Sequence, residues 1–263
     1  MRAAAALALL GITAFLIALV VNAPAERIAA RLLPPEIDAR DVRGTLLAGT
    51  AAAVNSGAVE LRRFSWRVRP AALATGHLEV RVRGHVAGGG RFEARLRRGL
   101  SEKITIEDAR LHLPATRITE WLAEPPPARP GGELHARVET AVLEGRRPTR
   151  LTGRVTWRGG TITAFDETVA LGDFRLDLAT PEPGRITGEF TDTGQGPVGI
   201  DGTGRLGPDG TIQGEARVRI APDADPRLLQ ALRFGGIPEP ERPFALDFSA
   251  DPARPDSWRG RLH

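Results

Sequence analysis

The chain reads HLEVRVR at residues 77–83 and RFEARLR at residues 91–97. Apolar and polar side chains alternate in both runs, so every second residue points to the same face of an extended strand. Such alternation is typical of antiparallel strands with one buried and one solvated face. The same period of two recurs in short runs bounded by glycine and proline across residues 36–263, which predicts many strands joined by turns.

Turns and short helices punctuate these runs. The segment GPDG at residues 207–210 lies between two alternating runs and favours a hairpin turn. Helical spacing appears at residues 116–123, and again after Asp225-Pro226, where Asp can cap a helix that begins with Pro. The sequence therefore predicts an all-β fold: an elongated antiparallel β-sheet or sandwich with two short capping helices.

The N-terminus carries a different pattern. Residues 3–21 form an uncharged run of nineteen residues, AAAALALLGITAFLIALVV. As a helix this run is roughly 28 Å long, close to the hydrocarbon thickness of a bilayer. We therefore predict a single transmembrane helix within residues 1–23. Residues of this predicted span include Ala3, Leu7, Leu10, Phe15, Leu19 and Val21.

A cleaved signal peptide is the alternative interpretation of this run. Residues 23–25 read APA, which resembles a cleavage site. The apolar run is longer than a usual signal-peptide core, however, and little charge precedes it, which favours a retained anchor. Because so few residues precede the span, we expect the N-terminus in the cytoplasm and the large domain on the opposite side.

Composition divides the remaining chain. Residues 24–35 form either a short juxtamembrane helix or a stalk, and the run EPPPARPGG at residues 124–132 predicts a hinge, because its prolines oppose regular structure. This hinge separates a first β half, residues 36–123, from a second, residues 133–263. The two halves contain a similar pattern, which reads as a strand, a tight turn and a returning strand. It lies at Gly44–Gly49 in the first half and at Gly153–Gly160 in the second.

The charges argue against a nucleic-acid binder. There are 36 basic and 32 acidic residues, and the arginines alternate along strands instead of clustering on one element as such a binder requires. The alternation is typical of the solvated face of a sheet. An acidic protein partner or an anionic lipid surface are the alternatives.

No motif predicts catalysis, a cofactor or a metal. Two G-x-G-x-x-G matches, at residues 194–199 and 202–207, lack the following helix that a dinucleotide site needs. Cysteine is absent, which excludes thiolate chemistry. The histidines show no metal-ligand spacing along the chain, so structural or solvent-facing roles are expected for His77, His85, His112, His135 and His263.

An ordered set of motifs resembles the protein N family of the type II secretion system (the general secretion pathway). The segment VRGTLLAG, residues 42–49, is similar to a glycine-threonine segment after the family's anchor, and FSWRVRP, residues 64–70, to its next strand. Resemblance continues in LTGRVTWRGG at 151–160 and LGDFRLDL at 171–178. It ends in GTGRLGPDGTIQG at 202–214 and the helical segment at 223–236.

The resemblance implies a non-catalytic subunit in the bacterial inner membrane, with most of the chain in the periplasm. Its implied role is to assist assembly or stability of the platform that exports proteins across the outer membrane. The implied partners are other secretion subunits, and membrane lipid at the anchor; we expect no nucleic acid, no small-molecule substrate and no cofactor. Candidate structural or partner-contacting residues are Gly44, Thr45, Gly49, Trp66, Trp157, Gly202, Asp209 and Gly210.

Trp66 and Trp157 alternate in phase with apolar neighbours, which favours packing in the core over contact with a partner. Two alternatives to the secretion role also remain. A tethered β domain can expose an apolar groove for lipid handling or envelope bridging, and a continuous open apolar strip would favour it, whereas two closed sheet faces would favour the secretion subunit. A cell-wall hydrolase would need converging polar residues in a cleft.

Overall fold

The structure is a computed structural model, and it describes Ala25 and residues 37–57, 59–121, 128–145, 147–164, 167–207, 210–234, 237, 239–251 and 254–262. The predicted anchor at residues 1–23 lies outside this part of the chain, as does the predicted stalk or helix at residues 24–35 apart from Ala25. None of the helices described has the length and apolarity needed to cross a membrane.

The alternating runs form strands, as predicted. Fifteen are described: β1 (Ile37–Arg40), β2 (Arg43–Gly44), β3 (Ala48–Ser56), β4 (Val59–Val68), β5 (Leu78–Val86), β6 (Arg91–Arg98), β7 (Lys103–Pro114), β8 (Arg129–Glu144), β9 (Arg147–Ala164), β10 (Glu167–Glu182), β11 (Arg185–Asp192), β12 (Val198–Leu206), β13 (Ile212–Ile220), β14 (Phe244–Asp251) and β15 (Arg254–Leu262).

All the described strands belong to one antiparallel sheet. From β3 to β15 each strand pairs with the next along the chain, while β1 and the short β2 both pair with β3. Most of the connections are short, and antiparallel neighbours can be joined by tight turns; those between β7 and β8 and between β13 and β14 are longer. The sequence is compatible with either a single sheet or a sandwich of two sheets. The described strands form a single sheet.

Three short helices accompany the described strands: α1 (Pro70–Leu73), α2 (Thr116–Trp121) and α3 (Pro226–Phe234). The predicted helices α2 and α3 are confirmed. Asp225 caps α3, since its carboxylate accepts the backbone N–H of Arg227 at 2.9 Å. The sequence analysis did not anticipate α1, which begins with proline at its first turn between β4 and β5.

Burial is shallow across this sheet. The one described cluster of buried apolar residues centres on Val169, Ala224 and Leu228, where α3 packs against the sheet. Elsewhere most strand residues alternate between half-buried and exposed. A single layer with few covered residues has one apolar face that is only partly removed from water.

The predicted hinge at residues 124–132 is corrected in its second part. Residues 129–132 are not irregular: they begin β8 and pair with β9, with Pro130 opposite Ile162. The last pair between β7 and β8 is Pro114 with Glu133, so residues 129–132 have a neighbour on one side only among the strands that the structure describes. Proline is tolerated there because no ladder bond from its nitrogen is needed.

Candidate functional site

One row of apolar residues crosses the sheet from β5 to β14. Its members are direct cross-strand neighbours, one from each strand: Gly84, Phe92, Leu111, Ala136, Val155, Leu176, Phe190, Gly202, Ala216 and Leu246. Apart from Gly84 and Ala216, all are half-buried. The row therefore forms a continuous apolar strip that no second described sheet covers.

Beside this row, three glycines open a groove in β11, β12 and β13. Gly188, Gly204 and Gly214 are successive cross-strand neighbours, flanked by Leu178 on β10 and Phe248 on β14. The ring of Phe248 lies over Gly214, whereas Gly188 and Gly204 line a low part of the face between Leu178 and that ring. We call this feature the glycine groove.

The glycine groove has a volume of about 690 Å³ and an almost entirely apolar lining, with Leu176, Ile186, Phe190 and Ile200 among its walls. This volume falls within the range of about 300–1,000 Å³ typical of ligand pockets. The backbone of its floor is already paired in the sheet. The groove therefore offers contact to apolar groups and no spare hydrogen bonds to a peptide main chain.

The glycines differ in how much room they leave. A Cβ on Gly214 would lie 2.4 Å from the ring of Phe248, and one on Gly202 would lie 2.9 Å from the Cβ of Ala216. A Cβ on Gly204 would meet nothing closer than 3.7 Å. Position 204 is therefore the place where a larger side chain can enter the groove without displacing the sheet.

Four predicted residues meet around β2 and β3. Gly44 and Gly49 are cross-strand partners, and Gly49 also lies opposite Trp66. Thr45 closes the turn between them: its backbone N–H donates to the carbonyl of Ala48 at 2.8 Å. A Cβ on Gly49 would lie 2.3 Å from the indole of Trp66, so glycine makes room for that ring.

Trp157 lies on the same face in the second half of the chain. Its indole N–H donates to the carbonyl of Gly131 at 2.8 Å, and its ring lies 5.5 Å from that of Phe174. Phe174 in turn stacks on Phe190 at 5.8 Å. A half-buried indole with a bonded N–H is the geometry of a packing residue. The last of these three rings, that of Phe190, lines the glycine groove.

The remaining predicted residues lie on or after β12. Gly202 is part of the apolar row, where it pairs with Ala216. Gly210 ends the hairpin turn at a φ of +89°, which favours glycine, and its N–H donates to the carbonyl of Gly207 at 3.0 Å. Asp209 lies outside the described residues. The candidate residues thus divide between separate places on the sheet instead of forming one site.

Arginines cluster beside Trp66. Arg43, Arg67, Arg81 and Arg83 line a depression of about 550 Å³, and Arg67 lies directly opposite Arg81. Arg83 is paired with Glu93 at 3.2 Å. Among the described residues, no acidic side chain lies within salt-bridge distance of the other three. We call this feature the arginine depression; it suits an acidic partner.

The structure brings together two histidines that show no metal-ligand spacing along the chain. His112 on β7 lies opposite His135 on β8, with ring centroids 4.4 Å apart. Glu133 Oε2 lies 3.3 Å from His112 Nε2 and 3.4 Å from His135 Nε2. The hydrogen bond from His112, with its charge and a weaker contribution from His135, holds the pKa of Glu133 below its usual value.

Sequence spacing missed this group because 21 residues separate His112 from Glu133. The signal that could have found it is the Glu-x-His spacing at residues 133–135, which places both side chains on one face of a strand. The cross-strand partner depends on a register that crosses the connection containing α2, and no turn motif fixes that register.

Comparison with known proteins gives one family. The family model for the type II secretion system (T2SS), protein N, matches residues 35–247. This chain belongs to that family. No curated protein and no solved structure matches the chain. The resemblance predicted from the motifs is thereby confirmed: the protein is a type II secretion component, and its family membership implies interaction with other components of that system.

Proposed function

We propose that this protein is a non-catalytic subunit, anchored in the inner membrane with its β domain in the periplasm, that assists assembly or stability of the secretion platform. The family match over residues 35–247 carries this proposal. The apolar run at residues 3–21 supports the anchor. The arginine depression is the proposed contact: Arg43, Arg67 and Arg81, which have no acidic partner in the described part of the chain, would bind an acidic segment of another subunit.

Photo-crosslinking in intact cells tests the contact. A photoreactive amino acid replaces Arg81 in the depression of the full-length chain. The matched control replaces Arg175, which lies on the same face but is paired with Asp177 at 3.0 Å. We expect secretion subunits to be captured from position 81 and not from position 175. Equal capture from both positions, or none from position 81, would exclude the arginine depression as the contact.

Deletion of residues 1–22 tests the anchor. With a cleavable signal peptide in place of these residues, the β domain should appear as a released periplasmic protein and secretion should fall. Full secretion by the released form would show that the tether is dispensable. The same fractionation of the unaltered chain, with the new N-terminus sequenced, distinguishes a retained anchor from a cleaved leader.

The apolar strip favours a second candidate function, the handling of lipid acyl chains. A sandwich would have buried both apolar faces, whereas here the strip and the glycine groove stay partly exposed on one sheet. An acyl chain has no polar groups to satisfy, and each methylene removed from water contributes about 0.8 kcal/mol. Lipid binding and membership of a secretion system are compatible with each other.

Filling the groove tests the lipid candidate. The variant Gly204→Trp places an indole in the groove at the position with room for it. Gln213→Trp is the matched control, because Gln213 is exposed on the opposite face of the neighbouring strand. We expect the first variant to lose about tenfold in affinity for a fluorescent fatty acid and the control to keep it. Identical binding by both variants would exclude the groove.

A further inference from the structure

The cluster of His112, Glu133 and His135 has the distances of a metal site. Zn²⁺ binds imidazole nitrogen and carboxylate oxygen at about 2.0–2.2 Å, so two ligand atoms at tetrahedral angles lie about 3.3–3.6 Å apart. The two contacts of Glu133 Oε2, at 3.3 Å and 3.4 Å, agree with this separation. One candidate ligand atom from each of the three residues lies within 4.8 Å of the others.

We propose that these three residues bind a divalent transition-metal ion, with Zn²⁺ as the best fit. His135 supplies a second, independent observation. Its Nε2 atom is enclosed, and although Glu133 Oε2 lies 3.4 Å away, the two atoms lack the geometry of a hydrogen bond, whereas an enclosed polar atom normally makes one. A metal ion bound between the two rings and the carboxylate would satisfy this nitrogen.

The ligand types select the metal. Ca²⁺ and Mg²⁺ require several oxygen ligands, and Glu133 is the only carboxylate in the cluster. Two imidazoles and one carboxylate suit Zn²⁺ and its neighbours in the transition series. The side chains of His112 and His135 are 30% and 38% exposed. Because His135 Nε2 is itself enclosed, an ion would enter past the carboxylate of Glu133, which is 61% exposed, and a water molecule could be its fourth ligand.

Two arginines near the cluster oppose the binding of a cation, so all three ligands are needed. Arg91 lies opposite His112 on β6, and Arg158 lies opposite Glu133 on β9. Both cations repel a divalent ion, although their charges are screened where they reach water. Each of the three ligands is therefore required to offset this repulsion, and the loss of any one should reduce binding strongly.

The position of the site gives the bound ion a structural role. His112 lies close to the end of β7, and Glu133 lies close to the start of β8, so an ion would tie together the two ends of the connection that contains α2. One backbone bond already lies there, from Ala115 N–H to the carbonyl of Gly132 at 2.8 Å. The ion would fix the junction between the two predicted halves of the domain.

Metal titration of the full-length chain, purified without an affinity tag, tests the proposal. Zn²⁺ binding is measured by calorimetry, and the Co²⁺ absorption spectrum reports the coordination number. The variants are His135→Gln, His112→Gln and Glu133→Gln. The matched control is His85→Gln, because His85 is exposed in the same polar row, beyond Arg91.

We expect one Zn²⁺ per chain, a four-coordinate Co²⁺ spectrum, and affinity lowered at least about tenfold in each ligand variant. The control should bind as the unaltered chain does. Zn²⁺ should also raise the unfolding temperature of the unaltered chain and of His85→Gln only. The proposal is overturned if His135→Gln and His85→Gln bind Zn²⁺ equally, or if the unaltered chain binds none. Metal-free unfolding temperatures check that the variants fold.

Discussion

Trp66 and Trp157 lie on the same face of the sheet, one in each half of the chain, and are held in the same way. Each indole N–H donates to a backbone carbonyl, that of Leu46 at 3.2 Å for Trp66 and that of Gly131 at 2.8 Å for Trp157. Each ring also lies against a glycine that leaves room for it. The similarity predicted between the two halves therefore has a physical counterpart.

The surroundings of the two rings differ. Phe64 lies beside Trp66, with a centroid distance of 6.2 Å, and stacks on Phe92, so the first half fills its apolar face with aromatic rings. In the second half the contiguous rings of Trp157, Phe174 and Phe190 end at Phe190, and the glycine groove separates them from Phe248 on β14. The same alternation of apolar and polar residues thus gives a filled face or a groove, depending on the sizes of the side chains that meet across strands.

The largest expected difference between the halves is at their glycines. In Gly49→Ala the new Cβ would meet the carbonyl of Arg43 at 2.5 Å as well as the indole, so we expect a loss of about 2–3 kcal/mol in the free energy of unfolding. Gly204→Ala has room and should change stability by no more than about 0.5–1 kcal/mol, in the stabilising direction. Urea unfolding, followed by tryptophan fluorescence, measures both. Equal losses would contradict the distinction between a filled and an open face.

The two indole hydrogen bonds allow a closer comparison. Trp66→Phe and Trp157→Phe each remove a donor from a half-buried carbonyl and some apolar contact. We expect each to lower the free energy of unfolding by about 1–2 kcal/mol. Trp157→Phe should have the larger effect, because its bond is shorter. A larger loss in Trp66→Phe would indicate that packing against Gly49 outweighs the hydrogen bond.

We expect a smaller difference in stability between variants on the polar faces of the two halves. Arg95 lies near three carboxylates, those of Glu79, Glu107 and Asp108, at 3.8, 3.9 and 3.1 Å, whereas Arg154 pairs with one described carboxylate, that of Asp177. We expect Arg95→Met to lower stability by about 1 kcal/mol and Arg154→Met by less than about 0.5 kcal/mol. The difference should shrink in 1 M salt, because ions screen exposed charges. A difference that persists unchanged in salt would point to packing of the Arg95 stem.

The smallest effect is expected from pH. The folded pKa of Glu133 is lowered by His112, so this carboxylate contributes stability above its unfolded pKa, and that contribution is lost as the pH falls through the folded pKa. The unaltered chain should therefore be slightly more stable than Glu133→Gln at about pH 5, and this difference in the free energy of unfolding should disappear as the pH decreases to about 3. Unfolding midpoints in metal-free buffer measure it, and an advantage that grows with acid would contradict the sign.

Several features followed from local pattern alone. The alternation at residues 77–83 predicted a strand that the structure places at Leu78–Val86, and Asp225-Pro226 marked the start of α3. The hinge was wrong at residues 129–132, because proline and glycine were read as local breakers. Whether they break a strand depends on which neighbour needs their backbone groups; among the described strands β9 alone lies beside them, and one further backbone bond joins Ala115 to Gly132.

The sequence by itself determined the strands, which face of each strand is apolar, and the family, because these depend on side-chain spacing and on motifs within short segments. Only the tertiary structure decided which side chains meet across strands. The glycine groove exists because the register places Gly188 opposite Gly204, and the histidine pair exists because the register places His112 opposite His135. Register is a property of two paired strands, so no single stretch of the chain contains it.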